Sequence, residues 1–150
     1  MLNLITTAAL SCMLAGTAFA QTPSPAAQLT GGTWVCSALN DGLNVISKQS
    51  YAADGTSTIM LMVFGEADGT SVKIVAEGVG TWNLVGDRLD EMLSRMTATY
   101  ADIGGEEALD IAQEMLDGSM VNVTLTNTAT FAGPTLQLVD VDDVVTDCAR

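Results

Sequence analysis

At 150 residues the chain has room for one domain, on the usual scale of roughly 100–200 residues each. Eighteen acidic against five basic side chains give a net charge of −13, and histidine is absent. This argues against nucleic acid as a partner, since phosphate binding needs a basic stripe, and it removes Ser-His, Cys-His and histidine-containing zinc chemistry.

The first forty residues carry no charged side chain. From Leu4 to Ala18 the chain is mostly apolar, and Ala18-Phe19-Ala20 forms the small-x-small pattern that a signal peptidase reads. Residues 1–20 are therefore expected to be a signal peptide cleaved after Ala20, sending the protein to a bacterial periplasm or outside the cell. Thr6, Thr7 and Ser11 interrupt the run, which is short for a span needing about 20 apolar residues. No membrane span is expected once the leader is gone. Residues 21–28, polar and proline-containing, read as a flexible N-terminal segment, and 29–150 as the folded domain. Cys12 falls inside the leader, leaving Cys36 and Cys148. An even pair in an exported chain reads as one disulfide.

Period-2 patterning recurs along 29–150. A mixed run, Val45, Ser47, Gln49 and Tyr51, ends at Asp54-Gly55, a hairpin-type dipeptide. The apolar run from Thr58 to Phe64 is turned back by Ala67-Asp68-Gly69-Thr70, and Val72, Ile74 and Ala76 alternate after it. Gly80 to Val85 and Leu89 to Tyr100 follow, separated by Gly86-Asp87. Val121, Val123 and Leu125 then alternate with polar residues, as do Leu136 and Leu138. Many short strands with glycine-containing turns predict an all-β sandwich or barrel. One stretch differs. From Glu106 to Asp117, apolar residues at 108, 109, 111, 112, 115 and 116 predict a short amphipathic helix that packs on the outside or end of the sheet structure. Glu106 and Glu107 suit its first turn and Gly118 its stop. Gly32-Thr33-Trp34 recurs as Gly80-Thr81-Trp82, a short echo consistent with two similar meanders.

Leu29-Thr30-Gly31-Gly32-Thr33-Trp34 resembles the opening strand of lipocalin-like, or calycin-type, barrels. Tyr51-Ala52-Ala53-Asp54-Gly55-Thr56 and the stretch from Gly80 to Leu89 are similar to segments of small bacterial secreted domains of that kind. The resemblance runs from Leu29 to Arg150. It implies an antiparallel up-and-down barrel in which Gly32 and Trp34 close one end. It also implies that the first and last strands pair and that a basic residue, here Arg150, stacks on Trp34. If Cys36 then faces Cys148, Trp34 faces Arg150. Two alternatives are a frayed Arg150 and a diagonal Cys36–Cys148 bond.

Catalytic candidates are weak. Asp87, Asp90 and Glu91 form one acidic group, and Asp140, Asp142, Asp143 and Asp147 another; both read as solvated edges. Neither has the spacing of a calcium loop, and the serines have no histidine or S-x-x-K partner. The expectation is a non-enzymatic exported barrel with no catalytic residues, metal or cofactor. It would bind a small apolar or amphipathic molecule or act as an envelope accessory. Met60 and Met62, which share a strand face, and Trp82 are the expected ligand-lining residues. The alternative is a protein-binding module, such as an inhibitor of a secreted hydrolase, whose acidic surface steers it to a basic partner. A carrier requires an open apolar interior; an inhibitor, a filled core with an exposed loop or patch.

Overall fold

The computed structural model describes residues 23–150, so the expected leader at 1–20 lies outside the described residues. A short helix α1 (Pro25–Leu29) comes first. Pro25 opens it, and the Ser24 side chain accepts the Ala27 N–H at 3.2 Å. This helix begins within the segment 21–28 read as flexible from the sequence. Leu29 is fully buried in the core and draws the preceding turn into place.

The strands follow as β1 (Thr33–Asn40), β2 (Leu43–Tyr51), β3 (Thr56–Ala67), β4 (Thr70–Val85), β5 (Arg88–Ile103) and the two-residue β6 (Glu106–Glu107). Helix α2 (Leu109–Ser119) leads into β7 (Thr124–Ala132), β8 (Thr135–Asp140) and β9 (Val145–Ala149). Each long strand pairs antiparallel with its neighbour, β5 with β7, and β9 returns to β1. The result is a closed eight-stranded up-and-down barrel with β6 as an appendage of β5. Asp41-Gly42 and Asp68-Gly69 make two-residue hairpin turns of the type I′ kind. All four residues have positive φ, as that turn type demands.

Register decides which residues face inward. Ser57, Ile59 and Leu61 of β3 sit on the inner face, opposite Gly80, Gly78 and Ala76 of β4. The runs expected as two strands, from Val72 and from Gly80, form one strand with bulges at Val75/Ala76 and Val79/Gly80. The bulges bring β5 very close: a Cβ on Gly80 would lie 2.3 Å from the Met92 carbonyl oxygen.

The helix expected over 106–117 begins later. Glu106 and Glu107 pair with Ile103 and Asp102 of β5, Gly118 lies inside the helix, and Met120 ends it. Sheet hydrogen bonding at the edge of β5 takes precedence over the favourable placement of two acids in a first helical turn. Ala108, Ala112 and Leu116 pack on inward-facing Ile74, Ala76, Leu93, Met96 and Ala101. Helix α2 thus covers one end of the barrel where β7 does not reach. Val121 forms only a parallel bridge to Leu93, so the strand expected from Val121 starts at Thr124.

Gln113 completes this junction. Its carboxamide oxygen accepts the Ala98 N–H and its nitrogen donates to the Met96 carbonyl, both at 2.9 Å, as a strand neighbour's peptide group would. Gln113→Ala strands both backbone groups against apolar surroundings. A loss of about 1–3 kcal/mol in urea unfolding is expected, whereas an unchanged midpoint would show that water replaces the amide without cost.

Candidate functional site

At the end of the barrel opposite α2, one apolar layer fills the interior. Leu29, Trp34, Tyr51, Leu89, Ala129 and Leu136 pack there, with Trp82, Leu84 and Phe131 against them. Trp34 is 0% exposed, and its indole N–H donates to the Leu29 carbonyl at 2.9 Å. The Arg150 guanidinium stands 4.0 Å from the Trp34 ring centroid and donates to the Gln28 carbonyl at 2.6 Å. Gly31 and Gly32 leave space for it: a Cβ on Gly31 would meet the guanidinium at 2.3 Å.

Cys36 pairs directly with Cys148 across β1 and β9, and the two are joined by a disulfide. Val35 pairs with Ala149 in the same register, and Arg150, the next residue, stacks its guanidinium on the Trp34 ring. The diagonal bond and the frayed arginine are therefore set aside.

Above this layer lies a cavity of about 460 Å³. Ala38, Val45, Ile59, Leu61, Leu93, Leu125 and Leu138 contribute apolar wall, together with Cys36 of the disulfide. Met120, Val123, Val141 and Asp142 also border it, from the segment after α2 and from the β8–β9 turn. Polar groups gather on β2, β3 and β5: Ser47, Gln49, Tyr51, Ser57 and Glu91. The Tyr51 hydroxyl donates to Glu91 Oε1 at 3.0 Å and is shared with Gln49 Oε1. The Gln49 amide in turn donates to Ser47 Oγ at 3.1 Å.

Burial pushes the Glu91 carboxyl above the usual carboxylate range, partly offset by the Tyr51 hydrogen bond. Tyr51 is raised well above the ordinary phenol value, first by burial and then by the charge of Glu91 and the hydrogen bond to it. The phenol therefore remains a donor across the physiological range. A carboxyl raised in the folded state holds its proton to higher pH than in the unfolded chain. Its contribution to stability is complete below the unfolded value of about 4.3 and is lost as pH rises through the folded value. Glu91→Gln keeps the acceptor and removes the charge. Thermal unfolding across pH should show the variant melting above the parent at pH 7, with the gap closing near about pH 4; a gap independent of pH would contradict this.

Glu91 does not share the surroundings of its acidic neighbours. Asp90 points outward, accepting from Arg88 at 2.9 Å and Thr126 at 2.6 Å, and Asp87 is exposed in the turn. Asp140 Oδ1 accepts the N–H groups of Asp142 and Val144, each at 2.9 Å, and so shapes the β8–β9 turn. Among the described residues no group of three or more histidine, cysteine, aspartate or glutamate side chains is placed to hold a metal ion.

Two expectations about the lining are corrected. Met60 and Met62 lie on the outer face of β3 and are exposed, because register gives the inner face to Ile59 and Leu61. Trp82 does not line the cavity. It packs edge-on to Tyr51, centroids 5.9 Å apart, and its N–H donates to the Ala52 carbonyl at 2.9 Å.

No protein-family model matches this sequence, and no curated protein matches it. Among the described residues, no helix is long and apolar enough to cross a membrane.

Proposed function

We propose that this chain is an exported, non-enzymatic, lipocalin-like barrel that binds a small apolar or amphipathic molecule in its interior. The observation that carries this reading is the 460 Å³ cavity, with mostly apolar walls and a hydrogen-bonded polar group on one side. Its size falls in the range of about 300–1,000 Å³ common for small-molecule pockets, which pair apolar walls with a few placed polar groups. The eight-stranded closure and the Trp34–Arg150 contact support the lipocalin-like reading. The disulfide agrees with an oxidising compartment, as the leader read at 1–20 implies. An envelope inhibitor would be better served by a filled core, so the open interior weighs toward carriage.

The test uses protein exported through its own leader, whose N-terminus should read Gln21, then stripped of bound lipid. Trp82, one ring away from the cavity through Tyr51, supplies a fluorescence signal. Titration with fatty alcohols, isoprenoids and quinones should give saturable binding near micromolar, about 8 kcal/mol, with a negative heat-capacity change. Absence of binding across the panel would turn the assignment toward the protein-binding alternative.

A further inference from the structure

Resting on the carrier reading above, we propose that the cavity selects an amphipathic amine, its apolar body against the leucine-rich wall and its protonated nitrogen on the Glu91 carboxylate. Three observations lead there. Glu91 is an acid on the inner face, between Leu89 and Leu93 in the alternation of β5. Its Oε1 receives the Tyr51 hydroxyl. Oε2 receives no hydrogen bond from the described residues and is not sealed away, and Glu91 lines the cavity.

The third observation is an accounting of positive charge. The chain has five basic side chains, and none lines the cavity. Lys48 and Arg95 border an outer groove, Lys73 lies over the Tyr100 ring, Arg88 pairs with Asp90 and Arg150 stacks on Trp34. A carboxylate in an apolar chamber needs a partner, and the protein supplies only a phenol. Asp140 and Asp142 add negative charge to the cavity lining. Such a field draws cations inward and discourages carboxylates. A fatty acid would place like charge beside Glu91. A neutral alcohol would meet an acceptor without gaining a charge pair.

Octylamine, octanol and octanoate separate these cases, since they differ only in the head group. Each is titrated calorimetrically into the exported, delipidated protein at pH 7, and into its Glu91→Gln and Asp87→Asn variants. The amine should bind about 10-fold tighter than the alcohol, as a charge-assisted hydrogen bond allows, and octanoate weakest. Glu91→Gln should bring the amine to the level of octanol while leaving octanol unchanged. Asp87→Asn, which removes an exposed charge, should leave all three unchanged. Octanol binding with no amine advantage, or an advantage that survives Glu91→Gln, overturns the amine assignment alone. An advantage lost equally in Asp87→Asn assigns it to general surface charge and also overturns the proposal. Failure of all three to bind overturns the carrier reading with it.

Discussion

Replacing Cys36 and Cys148 together with alanine should lower the stability of the oxidised protein by about 4–5 kcal/mol, the chain-entropy figure for a loop of this size. The crosslink spans 112 positions in sequence. It also lies at the weakest seam of the ring. β1 and β9 share only three paired positions, fewer than any other strand pair around the barrel, whereas β4 and β5 share fourteen. Without the bond, that seam rests on a few backbone hydrogen bonds and the Arg150 contact. Alanine is the cleaner replacement, because serine would bury two hydroxyls beside apolar neighbours. Urea unfolding with and without reductant checks the expectation. A parent whose midpoint does not move on reduction would show that sheet pairing alone holds the seam.

Trp34→Ala should be nearly as damaging, by about 3–5 kcal/mol, the usual cost of emptying a buried large aromatic site. The indole is 0% exposed and organises groups from separate parts of the chain: the Leu29 carbonyl, the Phe131 ring at 6.4 Å and the Arg150 guanidinium. Its removal leaves a void and an unpaired Leu29 carbonyl, and takes away one of the ties that hold α1 to the barrel. Arg150→Ala removes only the outer member of the stack and should cost about 0.5–2 kcal/mol. Denaturant unfolding of both variants gives the ordering directly. Equal losses would mean that Arg150, rather than the buried ring, supports this end.

Much of this architecture is legible in local patterns. Asp68-Gly69 declares its hairpin because a type I′ two-residue turn needs positive φ twice, and these residues tolerate it. Cys36 and Cys148 read as one disulfide from their count alone, whereas the pairing of first and last strands comes only with the resemblance to lipocalin-like barrels. The interior is harder to read. Met60 and Met62 resemble pocket residues in a continuously apolar run, yet such a run contains no internal mark of which parity faces inward; the pairing to Gly78 and Gly80 decides it. Tyr51 and Tyr100 occupy similar places after their tryptophans, 17 and 18 residues on, yet Tyr51 is buried and Tyr100 ends outside under Lys73. Glu91 is obscured by Asp87 and Asp90. The available signal was narrow: position 91 lies two from Leu89 and two from Leu93, so a strand burying both leucines must bury the acid too. Gln113 bears no local mark at all, since its role depends on the strand edge that α2 meets.

The closure of β1 onto β9 also governs the order of events during folding. Hairpins such as β1–β2 and β3–β4 pair residues near in sequence and can form early, but Cys36 meets its partner only after more than a hundred further residues are available. Until then β1 presents an open strand edge, a hazard for association with other chains. Closing so long a loop sets a late and slow step, as topologies dominated by distant pairings do. The chamber around Glu91 is therefore incomplete in partly folded chains, since Leu138 and Thr146 reach it only with the final strands. On the carrier reading proposed above, a ligand can bind only once the ring is complete. A molecule that fits the chamber would hasten neither hairpin, but it would hold the finished ring shut.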